Sequence, residues 1–593
     1  MSANGLDFAI AIGGAAGQGI ATPGNILARM FGRRGLHLYA YNAYQSIIRG
    51  GHILLTLRIR DKEVLTHGDS INLLLCLNQD TMDRHLRILG PGSRVLYNSD
   101  KVEPGEVPDD VVLCPMPIAE LAGDSKNKLI QNTISLGVMM HLIGLDFSVL
   151  EEALELAFKR KGAAVLEENV TMARAGFDHG AGNFEPFPAP LPEGDKPLAM
   201  WTGNTALAMG GAAAGVKFYA AYPMSPATGV LHWMAQHAHE LGIMVRQVED
   251  EIGVANMVIG AAHAGCRAMC ATSGGGFALM TEAIGAAAMM EIPAVFINVM
   301  RAGPSTGVPT KTEQGDLWQV LGASQGDFER FIVAPRDVLD AYNTVPELFN
   351  LVDRAQCPGI IISDLLISEG TFNVDPDLVD LQPEIDRGAL LVDPSPNGNY
   401  LRYLDTESGI SPRVVPGYEG FVHVVATDEH DEDGVIISDE FTHPHKRRRS
   451  VEKRARKFLG VAADVPPPTL EGPQDAEVTL VGWGSTYGVI REAIEMLSEQ
   501  GVVANQFAIK WIVPFHSEVV EEVLSSAKRV LIVENSHSGQ FARYLRSETG
   551  FSAHGHIRKY DGEPFMPHHV VEGVLELLES EAAIHVPYQE IIV

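Results

Sequence analysis

The side chains best suited to chemistry lie within residues 222–316, and Glu251 is their centre. An apolar run, Ile243-Met-Val-Arg-Gln-Val248, delivers Glu249-Asp250-Glu251 onto a small-residue helix pattern. Three carboxylates at a helix start have an ordinary explanation as a cap, because acids there complement orphan N–H groups and the macrodipole. The next strand patterns favour a second role. Arg267-Ala-Met-Cys-Ala-Thr272 reads as a short buried strand that breaks into Ser273-Gly-Gly-Gly276 before a helix over 277–290. Such a break offers backbone N–H groups to a ligand at the carboxyl edge of a sheet. Pro293-Ala-Val-Phe-Ile-Asn-Val-Met300 reads as another strand, ending on Arg301, and a loop rich in Gly, Pro and hydroxyls runs on to Asp316. Tyr222-Pro-Met-Ser225-Pro-Ala-Thr228 closes one more strand pattern. These strand ends, each with a polar or glycine element, are expected to converge on one sheet edge, where open α/β sheets place their sites.

The elements that must hold these residues belong to several successive strand–turn–helix units. Phe8-Ala-Ile-Ala-Ile12 reads as a strand, followed by Gly13-Gly-Ala-Ala-Gly17-Gln-Gly19 and a helix over 20–31. The glycine order is not that of a dinucleotide fingerprint, and no acid occurs between Asp7 and Asp61 to hold a ribose. That stretch instead carries Arg29, Arg33, Arg34, Arg49, Arg58 and Arg60, which suggests a phosphorylated ligand. Strands are expected over 71–77 and 95–97, and an uncharged helix over 129–145. A proline-rich segment over 184–197 reads as a semi-rigid linker. The next domain runs over 198–369, with its last strand within 359–366. Periodicity weakens over 370–474. There the acids of 428–433 read as solvated rather than metal-binding. The basic run over 446–457 reads as an exposed helix pairing with those acids or with a partner subunit. Residues 475–593 repeat the pattern, with a strand and glycine turn over 478–485, a helix over 486–499, and a strand over 528–534 ending in Asn535-Ser-His-Ser-Gly539.

Length and charge bound the reading. A chain of 593 residues holds several domains with large cores. A formal net charge of −30 argues against nucleic acid, which needs a basic footprint. The five cysteines (Cys76, Cys114, Cys266, Cys270, Cys357) are scattered without a C-x-x-C pair, as in a reducing compartment. Met1-Ser-Ala-Asn-Gly runs straight into a strand, and the uncharged runs are too weakly apolar for a membrane span, so a cytoplasmic protein is expected.

In order and spacing these motifs resemble the thiamine-diphosphate-dependent 2-oxoacid:ferredoxin oxidoreductases. Tyr222-Pro-Met-Ser-Pro stands where that family has Tyr-Pro-Ile-Thr-Pro, Glu251 precedes Ile-Gly-Val-Ala, and Arg301 ends its strand. The loop from Gly303-Pro-Ser-Thr-Gly to Thr-Glu-Gln-Gly-Asp316 looks most like the α subunits that act on 2-oxoglutarate. Tyr44-Gln-Ser46-Ile-Ile-Arg49-Gly-Gly51 resembles the family's γ domain, here fused ahead of the α domain. The resemblance implies a multi-domain α/β fold: a Rossmann-like γ domain over 1–183, a pyrimidine-binding domain over 198–369, a connecting segment over 370–474, and a transketolase C-terminal-like domain over 475–593, the last mostly structural.

It also implies roles. Glu251 contacts the pyrimidine ring nitrogen of thiamine diphosphate, Arg301 grips the substrate's 1-carboxylate, and Ser225 replaces the usual threonine. Tyr222, Pro223, Ser273, Gly274, Gly17 and Gly19 fall to cofactor binding. Ser46, Arg49, Thr310 and Lys311 are candidates for substrate or coenzyme A, with Arg49 and Lys311 each able to serve a distal carboxylate. The family's Gly-Asp-Gly motif for Mg²⁺ and diphosphate occurs nowhere here, and five dispersed cysteines do not supply a Cys₄ set of ordinary spacing. A β subunit carrying Mg²⁺, the diphosphate site and a [4Fe–4S] cluster is therefore implied, in an (αβ)₂ assembly with ferredoxin as acceptor and no metal on this chain. The expected reaction is the coenzyme A-dependent oxidative decarboxylation of 2-oxoglutarate to succinyl-CoA and CO₂. Pyruvate or another 2-oxoacid as substrate, and a non-catalytic coenzyme A-binding subunit, remain open.

Overall fold

Apolar runs buried on both faces make the central strands, as parallel sheets covered by helices require. The computed structural model describes residues 5–45, 50–125, 127, 129–189, 191–392, 394, 400–437 and 443–588. Its central sheet orders the strands Trp511–Val513, Phe331–Val333, Gly359–Asp364, Val295–Met300, Arg267–Thr272, Val216–Ala221 and Met244–Gln247. All neighbours are parallel except Trp511–Val513 against Phe331–Val333. The N-terminal sheet orders Val112–Met116, Leu89–Asn98, Ile71–Cys76, Asp7–Ala15, His52–Arg60, His37–Tyr44, Thr371–Val374 and Ala199–Thr202. The third sheet is built on Ala504–Ile509, Val478–Trp483, Val530–Glu534 and Gly555–Arg558, with two short edge strands. The fold is thus multi-domain α/β.

The sheets lock the units together. Ala199–Thr202 and Thr371–Val374, which bracket the central domain in sequence, both pair into the N-terminal sheet. Trp511–Val513, from the C-terminal part, extends the central sheet. The proline-rich segment is strapped down rather than free: Arg94 donates to the carbonyls of Glu185 and Pro186, and Gly194 N–H donates to Arg34 O at 2.7 Å.

Two glycine stretches differ from the sequence reading. Gly13 and Gly14 continue the strand Asp7–Ala15 instead of opening the turn. Their missing Cβ atoms leave the space filled by the side chains of Thr81 and Gln18. Gly274–Gly276 likewise form the first turn of the helix Gly274–Met289 instead of preceding it.

Three arginines of the N-terminal acid-free stretch are taken up by ion pairs and are not free for a phosphate. Arg58 lies between Asp7 (2.6 Å) and buried Glu492, Arg60 pairs with Glu495 (3.0 Å), and Arg34 pairs with Glu193 (2.9 Å). Arg49 lies outside the described residues. The basic helix Pro444–Ala462 pairs with the acidic run: Arg454 and Arg447 hold Glu429, and Arg449 holds Glu432. Its inward lysines, Lys453 and Lys457, bind buried Glu291 at 2.8 Å each, and together they hold the Glu291 carboxyl well below the usual range. Among the described residues, no helix is long and apolar enough to cross a membrane.

Glu492 is the main tie between the N- and C-terminal parts. Besides Arg58 it accepts from Leu65 N–H (3.0 Å), Thr66 N–H (3.1 Å) and Thr66 Oγ1 (2.9 Å). Glu492→Ala should lower unfolding free energy by roughly 3 kcal/mol, because it orphans a buried guanidinium face, the buried Thr66 amide and the half-buried Leu65 amide. Denaturant titration checks this, and an unchanged midpoint would show that the tie carries no stability.

Candidate active site

The carboxyl ends of four adjacent parallel strands build the site. Met244–Gln247 leads into Asp250, the N-cap of the helix Glu251–His263, and Asp250 Oδ1 accepts from Gly253 N–H at 2.7 Å. Capping thus falls to Asp250, and Glu251 is released from it. Glu251 is 3 % exposed, and its Oε1 is buried without a hydrogen-bond partner. An unpaired buried polar atom costs stability, so such an atom marks a place where function overrides packing. The carboxyl group lies over Gly276: a Cβ there would sit 2.5 Å from Glu251 Oε1 and still closer to Thr272 Oγ1. The glycine is required because the acid occupies its side-chain space.

Thr272 Oγ1 in turn contacts Met224 Sδ at 3.8 Å, and Met224 lines a cleft of about 710 Å³. One wall of the cleft is Gly274, Gly275 and Ala278. A second is Arg301 with the loop carrying Gly303, Pro304, Ser305 and Thr306. Glu313 and Asp316 also line the cleft. The remaining wall comes from the C-terminal part, through Ser536, His537, Ser538 and Gln540. Among the described lining residues, Arg301 carries the only guanidinium or ammonium group. Its Nη1 donates to Ser225 O at 2.8 Å, while its Nε is buried without a partner. Burial lowers the Arg301 pKa from its usual value, and burial raises those of Asp316 and Glu313. A fixed guanidinium flanked by glycine-lined helix starts suits a small carboxylate ligand.

With this geometry in place, likeness to known proteins is informative. Residues 9–179 match a family described as pyruvate ferredoxin/flavodoxin oxidoreductase, 209–447 its thiamine diphosphate-binding domain, and 476–570 the pyruvate:ferredoxin oxidoreductase core domain II. The 2-oxoacid:ferredoxin oxidoreductase 2 subunit alpha of Aeropyrum pernix is 30 % identical over 97 % of this chain and 98 % of its own length. This chain belongs to the 2-oxoacid:ferredoxin oxidoreductase family, as an α-type subunit. The 2-oxoglutarate oxidoreductase subunit KorA of Mycobacterium tuberculosis is 31 % identical over 83 % of this chain and 79 % of its own. The 2-oxoglutarate:ferredoxin oxidoreductase of Magnetococcus marinus, solved with 2-oxoglutarate, coenzyme A and succinyl-CoA bound, superposes with a TM-score of 0.90 at 30 % identity, over 96 % of this chain and 99 % of that one.

The family motifs do not all meet. Glu251, Arg301, Ser225, Ser273 and Gly274 lie on adjacent strand ends. Tyr222 and Pro223 are exposed beside them, and the Ser273 hydroxyl is buried without a partner. Thr310 is buried, and Lys311 forms a buried ion pair with Glu563 outside the cleft lining. Gly17 and Gly19 adopt positive φ (95° and 75°) in the N-terminal turn, where Asn132 Nδ2 donates to Gln18 O (2.8 Å) and Gly19 O (3.3 Å), and they do not line the cleft. Ser46 and Arg49 lie outside the described residues. Sequence reasoning missed the C-terminal wall. Its signal was the strand Val530–Glu534 breaking into Asn535-Ser-His-Ser-Gly539, the same strand-to-polar-loop pattern that marked the other strand ends.

Gly276→Ala should displace the Glu251 carboxyl or the Thr272 hydroxyl, and lower turnover by roughly 10²-fold through that misplacement. Steady-state kinetics of the assembled enzyme with a dye acceptor checks it. Full activity would mean that the Glu251 position is not critical.

Proposed function

We propose that this chain is the subunit of a thiamine-diphosphate-dependent 2-oxoglutarate:ferredoxin oxidoreductase that supplies the aminopyrimidine site, the 2-oxoacid site and the coenzyme A domain. The observation that carries the reading is the unpaired Oε1 of Glu251, buried at a helix start already capped by Asp250 and set beside the cleft of Arg301. That oxygen, with the space left by Gly276 beside it, would suit an aminopyrimidine, which would bring a ring nitrogen for the acid. Thiamine diphosphate, when bound, supplies the nucleophilic carbon and the electron sink that 2-oxoacid decarboxylation requires. Glu251 shares a proton with the ring nitrogen and so sets the tautomer. Arg301 takes the substrate's 1-carboxylate, and Ser225, whose carbonyl already accepts from Arg301, fixes the guanidinium. Coenzyme A accepts the acyl group, with Arg49 as a candidate phosphate contact, and ferredoxin takes the electrons.

The substrate reading is supported by KorA and by the Magnetococcus enzyme. Because Lys311 is paired with Glu563, the distal carboxylate is assigned to the His537 imidazole and the Ser538 hydroxyl, or to the partner subunit. Mg²⁺, the diphosphate site and a [4Fe–4S] cluster belong to a β subunit in an (αβ)₂ assembly. Four of the five cysteines here are buried and dispersed over the described chain. The helices Glu251–His263 and Gly274–Met289 support such a partner, for each turns large apolar side chains outward. Ile252, Met257 and Leu279 are each about half exposed beside the site, as expected of a surface that another subunit covers.

Glu251→Gln in the assembled enzyme should reduce 2-oxoglutarate-dependent viologen reduction by roughly 10²–10⁴-fold. Unchanged turnover would overturn the mechanism. The chain alone should be colourless and inactive, and Leu279→Lys should weaken partner co-purification without unfolding it. Stoichiometric iron in the isolated chain would remove the two-subunit division. A higher kcat/KM for pyruvate than for 2-oxoglutarate would displace the substrate while leaving the reaction class.

A further inference from the structure

The loop that brings Glu313 and Asp316 to the cleft is held by the C-terminal part. Thr312 N–H donates to Gly562 O at 3.0 Å. Gln314, fully buried, donates through Nε2 to Trp483 O (2.8 Å) and accepts through Oε1 from Asn535 N–H (3.0 Å). Gln540 then brackets the end of the loop. Its Nε2 donates to Gly315 O (2.6 Å), and its Oε1 accepts from Trp318 N–H (3.0 Å).

The Trp318 contact has a particular meaning. Asp316 occupies the N-cap of the short helix Leu317–Leu321, yet its side chain makes no capping bond. An N-cap aspartate ordinarily accepts from the second or third helical N–H. Here the second, Trp318 N–H, is taken by Gln540, over two hundred residues away in sequence. The Asp316 carboxylate turns instead to Asn298, which donates through Nδ2 at 3.1 Å. It packs on Gly274, where a Cβ would collide with it, and it lines the same cleft as Arg301. Gln540 is itself anchored: Glu534 accepts from Phe541 N–H (2.7 Å) and from Ser536 Oγ (2.9 Å), which fixes the turn that presents it.

We infer that Gln540 is a positioning residue of the active site, which caps the helix Leu317–Leu321 in place of Asp316 and thereby leaves that carboxylate on Asn298 and Gly274, in the cleft lining that it shares with Arg301. The C-terminal part is then a working wall of the cleft rather than a support. The kinetic consequence rests on the function proposed above; the capping arrangement does not.

Two measurements on the assembled enzyme test it. Hydrogen exchange over 317–321 reads the cap, and kcat/KM for the 2-oxoacid reads the positioning. Asp316→Ala should leave the protection of 317–321 at the wild-type level while lowering kcat/KM roughly 10-fold. Gln540→Ala should lower kcat/KM by a similar factor. The double variant should lower it no further, because both act through one contact, and should lose the protection, because neither cap remains. Gln540→Glu, which keeps the acceptor for Trp318 N–H, should retain more of the activity than Gln540→Ala, and it replaces that variant if Gln540→Ala does not assemble. Loss of protection in Asp316→Ala alone, unchanged kcat/KM in Gln540→Ala, or additive losses in the double variant would each overturn the inference. If the wild-type enzyme oxidises no 2-oxoacid, the proposed function fails, and the exchange arm still decides the cap.

Discussion

The structure depends on a carboxyl oxygen buried without a partner. Leaving a polar atom unsatisfied in the interior costs on the order of 1–3 kcal/mol, so its neighbours must hold Glu251 in place by other means. Asp250 satisfies the helix start, which removes the capping task. Gly276 yields its side-chain volume to the acid, and Thr272 closes the other side. The parallel strands beneath set the height of each of these residues, since Val216–Ala221, Met244–Gln247, Arg267–Thr272 and Val295–Met300 run side by side and end at one edge.

The second constraint is that the site is not made by one domain. Arg301 is anchored on the Ser225 carbonyl, at the end of a strand that is not its neighbour in the sheet. The loop carrying Gln314 and Gly315 is anchored on Asn535, Trp483 and Gln540 of the C-terminal part. The C-terminal part is tied in turn to the N-terminal sheet through Glu492 and Arg58. A displacement of either flanking unit therefore reaches the cleft through hydrogen bonds to its loops.

Much of this was legible in the sequence, for identifiable reasons. The central strands were found because apolar runs buried on both faces have no alternating pattern and are punctuated by Gly and Pro. The strand Arg267–Thr272 and the helix Thr486–Glu499 fall where the pattern places them. The motifs around Glu251 and Arg301 are local, so their order sufficed to identify the family. The hidden features are those that depend on distant partners. Whether Asp250 or Glu251 caps the helix is decided by the residue at which the backbone turns helical, which the run of three acids leaves open. The arginines at 58 and 60 read as a ligand patch because Glu492 and Glu495, their partners, lie more than four hundred residues away. Lys311 looked available because Glu563 could not be seen beside it. The wall of Ser536, His537 and Gln540 was marked by a strand end, but only the assembled sheets bring that end to the cleft.

If Glu251 is placed for a ligand and not for the fold, stability measures it without any turnover. Equilibrium denaturation of the chain should give Glu251→Gln a midpoint equal to or above that of the unsubstituted protein, since the acid satisfies nothing in the helix start. Asp250→Ala, which removes the actual cap, should lose about 1 kcal/mol in the same experiment. A loss in Glu251→Gln as large as that in Asp250→Ala would contradict this placement and return Glu251 to a structural role.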